Sequence, residues 1–207
     1  MRVGRVGSAV LVAALGSSAL SACSPSQLGA AAVVDDKRIT VTDIQGTLKS
    51  VHALQQKYGI APADNPTAAR DEVQRRVVDL VFDKAAKSLG VAVSPGEVST
   101  ALANERKQLG GDAGLAQEFA RSNLSLNAAD EVFRQQLLDQ KMIAKITSST
   151  PGLSHDQVTA KLLGNLVDAA RAMRIRINPR YGSFDPTAGQ INPVAFDFLR
   201  PSLRPSN

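Results

Sequence analysis

The residue with the clearest capacity for covalent chemistry is Cys23, the only cysteine in this chain of 207 residues. A thiol is the most nucleophilic side chain available for attaching a lipid. Cys23 follows Arg2, Arg5 and an uncharged run over residues 6–20. A positive segment, an apolar run and small residues are the layout of a secretory signal peptide. The run is shorter than the roughly 20 apolar residues that a membrane span needs, which disfavours an uncleaved transmembrane helix.

The residues Leu20-Ser21-Ala22-Cys23 resemble the bacterial lipobox, whose pattern is Leu-Ser/Ala-Ala/Gly-Cys. The resemblance implies that residues 1–22 are a lipoprotein signal peptide and that Cys23 becomes the first mature residue, carrying a diacylglycerol. Two acyl chains hold a protein stably on a membrane. We therefore expect a lipid-anchored protein on the extracytoplasmic face of the bacterial cell membrane, with residues 23–31 as a small, flexible tether to the bilayer. The alternative is an ordinary signal peptide followed by an unmodified cysteine.

The remaining sequence offers no catalytic residues, metal site or cofactor site. His52 and His155 lie far apart and belong to no metal-ligand pattern, and neither a nucleophile elbow nor an HExxH motif occurs. Aromatic residues make up 4% of the chain, so anchors for a tight small-molecule pocket are few. We expect no enzyme activity, no cofactor and no small-molecule substrate.

The charge of the chain argues against nucleic acid as a partner. Without residues 1–22 the chain keeps 22 basic and 19 acidic residues, a net charge of +3. No stretch combines clustered Lys and Arg with aromatic residues. The 185 remaining residues suffice for one domain with a core, and acylation of Cys23 would leave no thiol for a disulfide.

Helical spacing of apolar residues dominates the chain after residue 40. Three helix starts pair a capping residue with an acidic residue or glutamine three positions later: Thr40 with Asp43, Ser94 with Glu97, and Ser154 with Gln157. Further starts are predicted at Asn65-Pro66, after Gly110-Gly111, and at Asn127. The pattern predicts a mainly α fold of about six helices.

Short strands are predicted at both ends of the helices. Val33-Val34 and Ile39-Thr40 flank a turn at Asp35-Asp36. Residues 174–177 alternate arginine and isoleucine, which is typical of a strand with one buried face. Four prolines follow within residues 183–207, and we expect this segment to be a mostly disordered tail.

Two separated segments resemble the N-terminal chaperone domain of the SurA/PrsA family. At one end the resemblance rests on Val33, Val34, Ile39 and Thr40. At the other end it rests on the run Asn178, Pro179, Arg180, Tyr181 and Gly182, which follows the last strand. The resemblance covers residues 32–182, although Asp36-Lys37 stands where the family usually has a glycine. It implies a SurA-like helical array of about six helices, closed by N- and C-terminal strands that are neighbours in space.

The family resemblance also implies a function. It suggests a membrane-anchored, extracytoplasmic chaperone-like protein that binds unfolded or translocating polypeptides. Family members insert a prolyl isomerase domain before the closing strand, whereas only residues 147–173 fill that interval here. Isomerase activity is therefore not expected. The alternative is a structural or adaptor lipoprotein that binds one fixed cell-envelope partner. A client binder should expose a flexible, aliphatic, methionine-bearing groove, and an adaptor should expose one flat patch with a defined hot spot.

Overall fold

The computed structural model describes residues 29–62 and 67–193. This part of the chain is mainly helical, with six α-helices and short strands near its two ends, as the sequence predicts. The elements in chain order are β1 (Ala30–Val34), β2 (Lys37–Thr40), α1 (Val41–Lys57), α2 (Ala68–Ser88), α3 (Pro95–Gln108), α4 (Asp112–Arg121), α5 (Ala129–Ser149), α6 (His155–Arg171), β3 (Ile175–Ile177), β4 (Ser183–Asp185) and β5 (Gln190–Asn192).

The two ends of the domain meet in a three-stranded antiparallel sheet of order β2-β1-β3. Val34 lies opposite Ile175, and Ala32 lies opposite Ile177. The Asp35 side chain accepts a hydrogen bond from the backbone N–H of Arg174, 139 positions away in the sequence, at 2.9 Å. The prediction that the first and last strands of the helical array are neighbours in space is confirmed. Ile175 and Ile177 are only half-buried, because β3 is an edge strand of three residues.

All three predicted capping boxes are present. Thr40, Ser94 and Ser154 each accept a hydrogen bond from the backbone N–H three positions later, and the side chain there bonds back. At α3 a cross-helix contact adds to the box, since Lys141 Nζ lies 2.6 Å from Glu97 Oε1. Lys141 and the Ser94 hydrogen bonds together lower the pKa of Glu97 to about 2. The local sequence therefore sets where these helices begin.

Two helix starts differ from expectation. Helix α2 begins at Ala68, directly after Thr67, while Asn65 and Pro66 lie outside the described residues. A 3₁₀ turn over Leu126–Ala128 precedes α5, and Ser125 caps it by accepting from the Asn127 N–H at 3.3 Å. The predicted start at Asn127 is thus a residue within the turn, because Ser125 offers an oxygen at the correct spacing.

The expectation of a disordered tail from residue 183 is wrong for residues 183–192, which form the β4–β5 hairpin. Asp185 Oδ1 accepts from the backbone N–H of Thr187 at 2.8 Å, so the side chain stabilises the turn. Pro186 lies in this turn, where no ladder donor is needed. Ile191 is 4% exposed, and its N–H donates to Gln74 Oε1 at 2.8 Å. Residues 194–207 lie outside the described part.

The predicted tether over residues 23–31 is also too long at its C-terminal end. Ala30 and Ala31 belong to β1 and are buried, because β1 is the central strand and packs against the helices. Small alanine side chains let the strand approach α1 and α2 closely. Strand β1 therefore takes up the last two residues of the predicted tether.

Three apolar clusters form the core. One joins α2, α5 and α6 around Met142, and a second joins the sheet to α1 and α2 around Ile44 and Val73. The third joins α3, α4 and α5 around Leu115 and Phe119. Helix α2 belongs to the first two clusters, so the sheet and α6 both pack against it, and α5 joins the first cluster to the third.

Candidate functional site: an apolar groove beside a buried charge cluster

An apolar groove of about 270 Å³ lies between α2, α6 and the β4–β5 hairpin. Its lining consists of Val78, Val81, Phe82, Leu163, Leu166, Val167, Ala170, Phe184, Pro186, Thr187, Ala188 and Gly189. Helical spacing explains two of its walls, because residues three and four apart share one face of a helix. The hairpin supplies the third wall through Phe184 and the turn that follows it.

The floor of this groove is buried and its rim is exposed. Val81 and Ala170 form part of the packed core. Leu163 is 55% exposed, more than any other large hydrophobic residue in the part of the chain that the structure describes. Solvent exposure of the lining therefore increases across α6, from the buried Ala170 to the exposed Leu163. An apolar side chain that enters the groove would pack against the existing core.

The chemistry of the lining suits an apolar ligand. The described residues that line the groove carry no charge, and Thr187 is the one among them with a hydroxyl group. Such a surface can bind aliphatic or aromatic groups but offers few polar groups to orient a small substrate. The expected methionines are not found there: Met142 is fully buried in the core, and Met173 packs between two apolar clusters.

A cluster of charged residues lies on α2, over residues 72–79. Arg75 Nε lies 2.9 Å from Glu72 Oε2, and Arg75 Nη1 lies 3.0 Å from Asp79 Oδ2. Arg76 Nε contacts Glu72 Oε1 at 2.7 Å, and Glu131 on α5 approaches Arg75 at 3.5 Å. Glu72 and Asp79 are both buried. Arg75 is thus the cation that two buried carboxylates share.

The pKa values of the two buried carboxylates are shifted in opposite directions. Burial alone would raise the pKa of Glu72, but hydrogen bonds from Arg75 and Arg76 hold it below its ordinary value. Burial raises the pKa of Asp79 from 3.8 to about 6, against the attraction of Arg75 and with added repulsion from Glu131. Asp79 Oδ1 has no hydrogen-bond partner among the described residues. Asp79 is therefore a carboxylate held in an unfavourable environment for its charge.

The raised pKa of Asp79 predicts a pH-dependent stability. The folded state binds more protons than the unfolded state between pH 3.8 and about 6. Asp79 therefore adds at most about 3 kcal/mol to the free energy of unfolding below pH 3.8, and this contribution is lost as the pH rises through 6. Denaturant unfolding of Asp79→Asn should lack this decline between pH 4 and 7. Asp130→Asn removes an exposed carboxylate of α5 and should keep it. An unchanged profile for Asp79→Asn would contradict the assignment.

The described residues of the sequence signature lie in the terminal sheet and in the turn that follows it. Val33, Val34, Ile39 and Thr40 lie in β1 and β2. The Asn178 side chain donates to the Ala30 carbonyl at 3.0 Å, which fixes the turn after β3 to the central strand. Cys23 lies outside the described residues.

The other four residues of the run lie in and after that turn. Pro179 and Arg180 form it, the buried Tyr181 accepts a hydrogen bond from Arg70 Nε at 2.9 Å through its carbonyl, and Gly182 lies against Asn192. These residues close the domain and lie outside the groove lining.

Residues 29–62 and 67–193 hold neither a metal-ligand cluster nor a membrane-spanning helix. Within them, no group of three or more His, Cys, Asp or Glu side chains could hold a metal ion. Among the helices of residues 29–62 and 67–193, none is long and apolar enough to cross a membrane. No protein-family model matches the sequence, and a search of curated proteins finds no similar chain.

Proposed function

We propose that this protein is a lipid-anchored, extracytoplasmic chaperone-like protein that binds apolar segments of unfolded or exported polypeptides in the groove between α2, α6 and the hairpin. The observation that carries the proposal is the groove itself, which is uncharged along its described lining and bordered by the exposed Leu163. An exposed apolar surface of this kind on a folded domain commonly marks an interaction site.

The proposed relationship to the SurA/PrsA N-terminal domain is supported by topology. The first and last strands of the helical array pair directly, and the Asn178 turn is tied to β1. Residues 147–173 form the end of α5, a turn and α6, which leads into β3. This interval contains no sheet on which an isomerase domain could be built, so we propose client binding without prolyl isomerase activity.

The size of the groove fits transient binding. A buried leucine or phenylalanine contributes about 1.5–3 kcal/mol, and a groove of about 270 Å³ accommodates few such side chains. Two or three anchors contribute about 3–9 kcal/mol in sum, and the translational and rotational entropy lost on association reduces this, so the groove alone should bind no more tightly than about micromolar. Affinity in this range lets a client leave and fold, and a lipid anchor would keep the groove where exported chains emerge.

Client binding can be tested with the mature chain and a matched pair of variants. We expect the protein to slow aggregation of a denatured client at near-stoichiometric ratios, and Leu163→Gln to weaken this effect. Ile143→Gln changes another exposed aliphatic residue, 37% exposed on α5 and outside the groove, and should act like the wild type. The rate of proline cis–trans exchange in a test peptide should stay at the uncatalysed value, tens to hundreds of seconds at 25 °C.

Three outcomes would contradict the proposal. Equal effects of Leu163→Gln and Ile143→Gln would remove the groove from the mechanism. Acceleration of proline exchange would show an enzyme. No protection of any client would favour an adaptor lipoprotein that binds one fixed cell-envelope partner.

Lipid anchoring makes a separate prediction. Cys23→Ala should abolish fatty-acid labelling and leave the precursor unprocessed, because the thiol that accepts the lipid is gone. No lipid-anchored mature protein should then be found in the membrane. Each buried CH₂ of an acyl chain contributes about 0.8 kcal/mol to membrane binding, so the loss should be complete. Intact-mass measurement of the wild-type protein checks the modification directly. An unmodified Cys23, or cleavage at another residue, would show that the signal peptide is of the ordinary kind.

A further inference from the structure

The chain beyond Pro193 starts close to the apolar groove. Strand β5 ends at Asn192, which lies opposite Ser183 in the hairpin. Phe184, the next residue of β4, lines the groove. The chain therefore leaves the described domain about one strand spacing, roughly 4.8 Å, and one residue from a wall of the groove.

The segment that follows has a composition that matches this wall. Residues 194–199 read VAFDFL and contain Phe196 and Phe198, two of the six phenylalanines of the protein. Val194, Phe196 and Phe198 occur at every second position, with Asp197 between the two phenylalanines. In an extended conformation the three apolar side chains would share one face, and Asp197 would point to the other.

We propose that residues 194–199 occupy the groove of their own domain, with Phe196 and Phe198 against the apolar wall bordered by Leu163. Five residues from Pro193 to Phe198 reach about 17 Å at roughly 3.3 Å each, which allows the chain to turn back beside β4. The lining given by the described residues carries no charge, so Asp197 remains on the solvent side. The carboxylate of Asp197 then keeps its hydration, which avoids the cost of burying an unpaired charge.

Attachment makes this intramolecular ligand an effective competitor. A short connection gives an effective concentration in the millimolar range, comparable to the weak affinity of a few apolar anchors. If the segment fills the groove in about nine molecules of ten, the apparent affinity for an external peptide falls about tenfold. The effect on clients rests on the proposed function, whereas occupancy of the groove does not. The segment would then shield Leu163 from water until an apolar chain displaces it.

Occupancy can be measured without any client. The full mature chain with Cys23→Ser has no other cysteine, so Ser202→Cys places a single spin label after the segment. We expect the label to broaden the methyl signals of Leu163 and Val167. A label at Ser99→Cys, on exposed α3, should leave these signals sharp. Adding Phe196→Ser and Phe198→Ser to the Ser202→Cys chain should restore them.

A binding measurement supplies the second test. A fluorescent peptide of residues 193–200 should bind the chain carrying Phe196→Ser and Phe198→Ser about tenfold more tightly than the wild type, because the groove is then free. Leu163→Gln should weaken binding in both backgrounds. Equal affinity for the two chains, or no binding to either, would overturn the proposal. Broadening that appears only when labelled and unlabelled chains are mixed would assign the groove to a second copy and also overturn it.

The two proposals can fail separately. Loss of client protection with groove occupancy intact would reject the chaperone-like function alone. Client protection with sharp Leu163 and Val167 signals in the Ser202→Cys chain would reject the intramolecular ligand alone.

Discussion

Arg75→Met is expected to lower the free energy of unfolding by about 3–5 kcal/mol at pH 7. Arg75 is the cation between Glu72 and Asp79, both buried, and it also faces Glu131 at 3.5 Å. Removing it leaves a buried carboxylate, Asp79, without its ion-pair partner. Methionine keeps much of the side-chain volume, so the loss reports charge more than packing. Chemical denaturation followed by far-UV circular dichroism measures the change.

The pH dependence and a matched arginine separate this effect from a general loss of stability. Without Arg75 the pKa of Asp79 should rise further, so the deficit of Arg75→Met should be smaller at pH 5 than at pH 7.5. Asp79→Asn in the Arg75→Met background should recover part of the loss. Arg106→Met removes a pair with Asp112 that is largely exposed, and it should cost under about 1 kcal/mol. Similar losses for the two arginine variants would refute the central role of Arg75.

Gly182→Ala is expected to lower the free energy of unfolding by about 2–6 kcal/mol. Gly182 has φ +126°, a conformation that costs other residues about 1–3 kcal/mol. A Cβ at this position would lie 2.1 Å from the carbonyl oxygen of Asn192, so β5 would also have to move, which adds a penalty of about 1–3 kcal/mol. Hydrogen exchange should show the loss first in β4 and β5, because Gly182 directly precedes Ser183, which pairs with Asn192.

Gly164→Ala is the matched control. Gly164 lies in α6 with open space around the position of a Cβ, so alanine should stabilise the helix by about 0.5–1 kcal/mol. If Gly182→Ala unfolds at the same denaturant concentration as the wild type, the close packing of Gly182 against Asn192 is wrong.

Local signals were sufficient for the three helix starts with a capping box and for the presence of the terminal strands. A capping oxygen at Thr40 or Ser94 acts within one turn, so its effect can be predicted from four consecutive residues. The pairing of β1 with β3 is not local, and its prediction depended on the family resemblance, with the alternation over residues 174–177 as support. The hairpin at residues 183–192 was missed because nearby prolines dominate its sequence. Its order comes from distant contacts, the Gln74 hydrogen bond and burial of Ile191.

The residues that line the groove could not be predicted from the sequence for the same reason. Its third wall contains Phe184, and the sequence predicts a disordered tail at that position. The charge cluster left a visible signal, because Glu72, Arg75 and Asp79 follow the three- and four-residue spacing of a helix. The sequence could not show that this face is buried, since burial depends on how α1 and α5 pack against α2.

Pairing of β1 with β3 also sets the order in which the domain can be completed. Asn178 N–H and side chain bond to Ala31 and Ala30, almost 150 positions earlier, so closure joins segments made at very different times. Contacts of such large sequence separation slow folding, because a long loop must close before they form. A chain delivered N-terminus first can pair β1 with β2 early, but the other edge of this central strand stays open until β3 arrives. During that interval the protein is itself an incompletely folded polypeptide, and it would need the kind of protection that, under the proposed function, it gives to other chains.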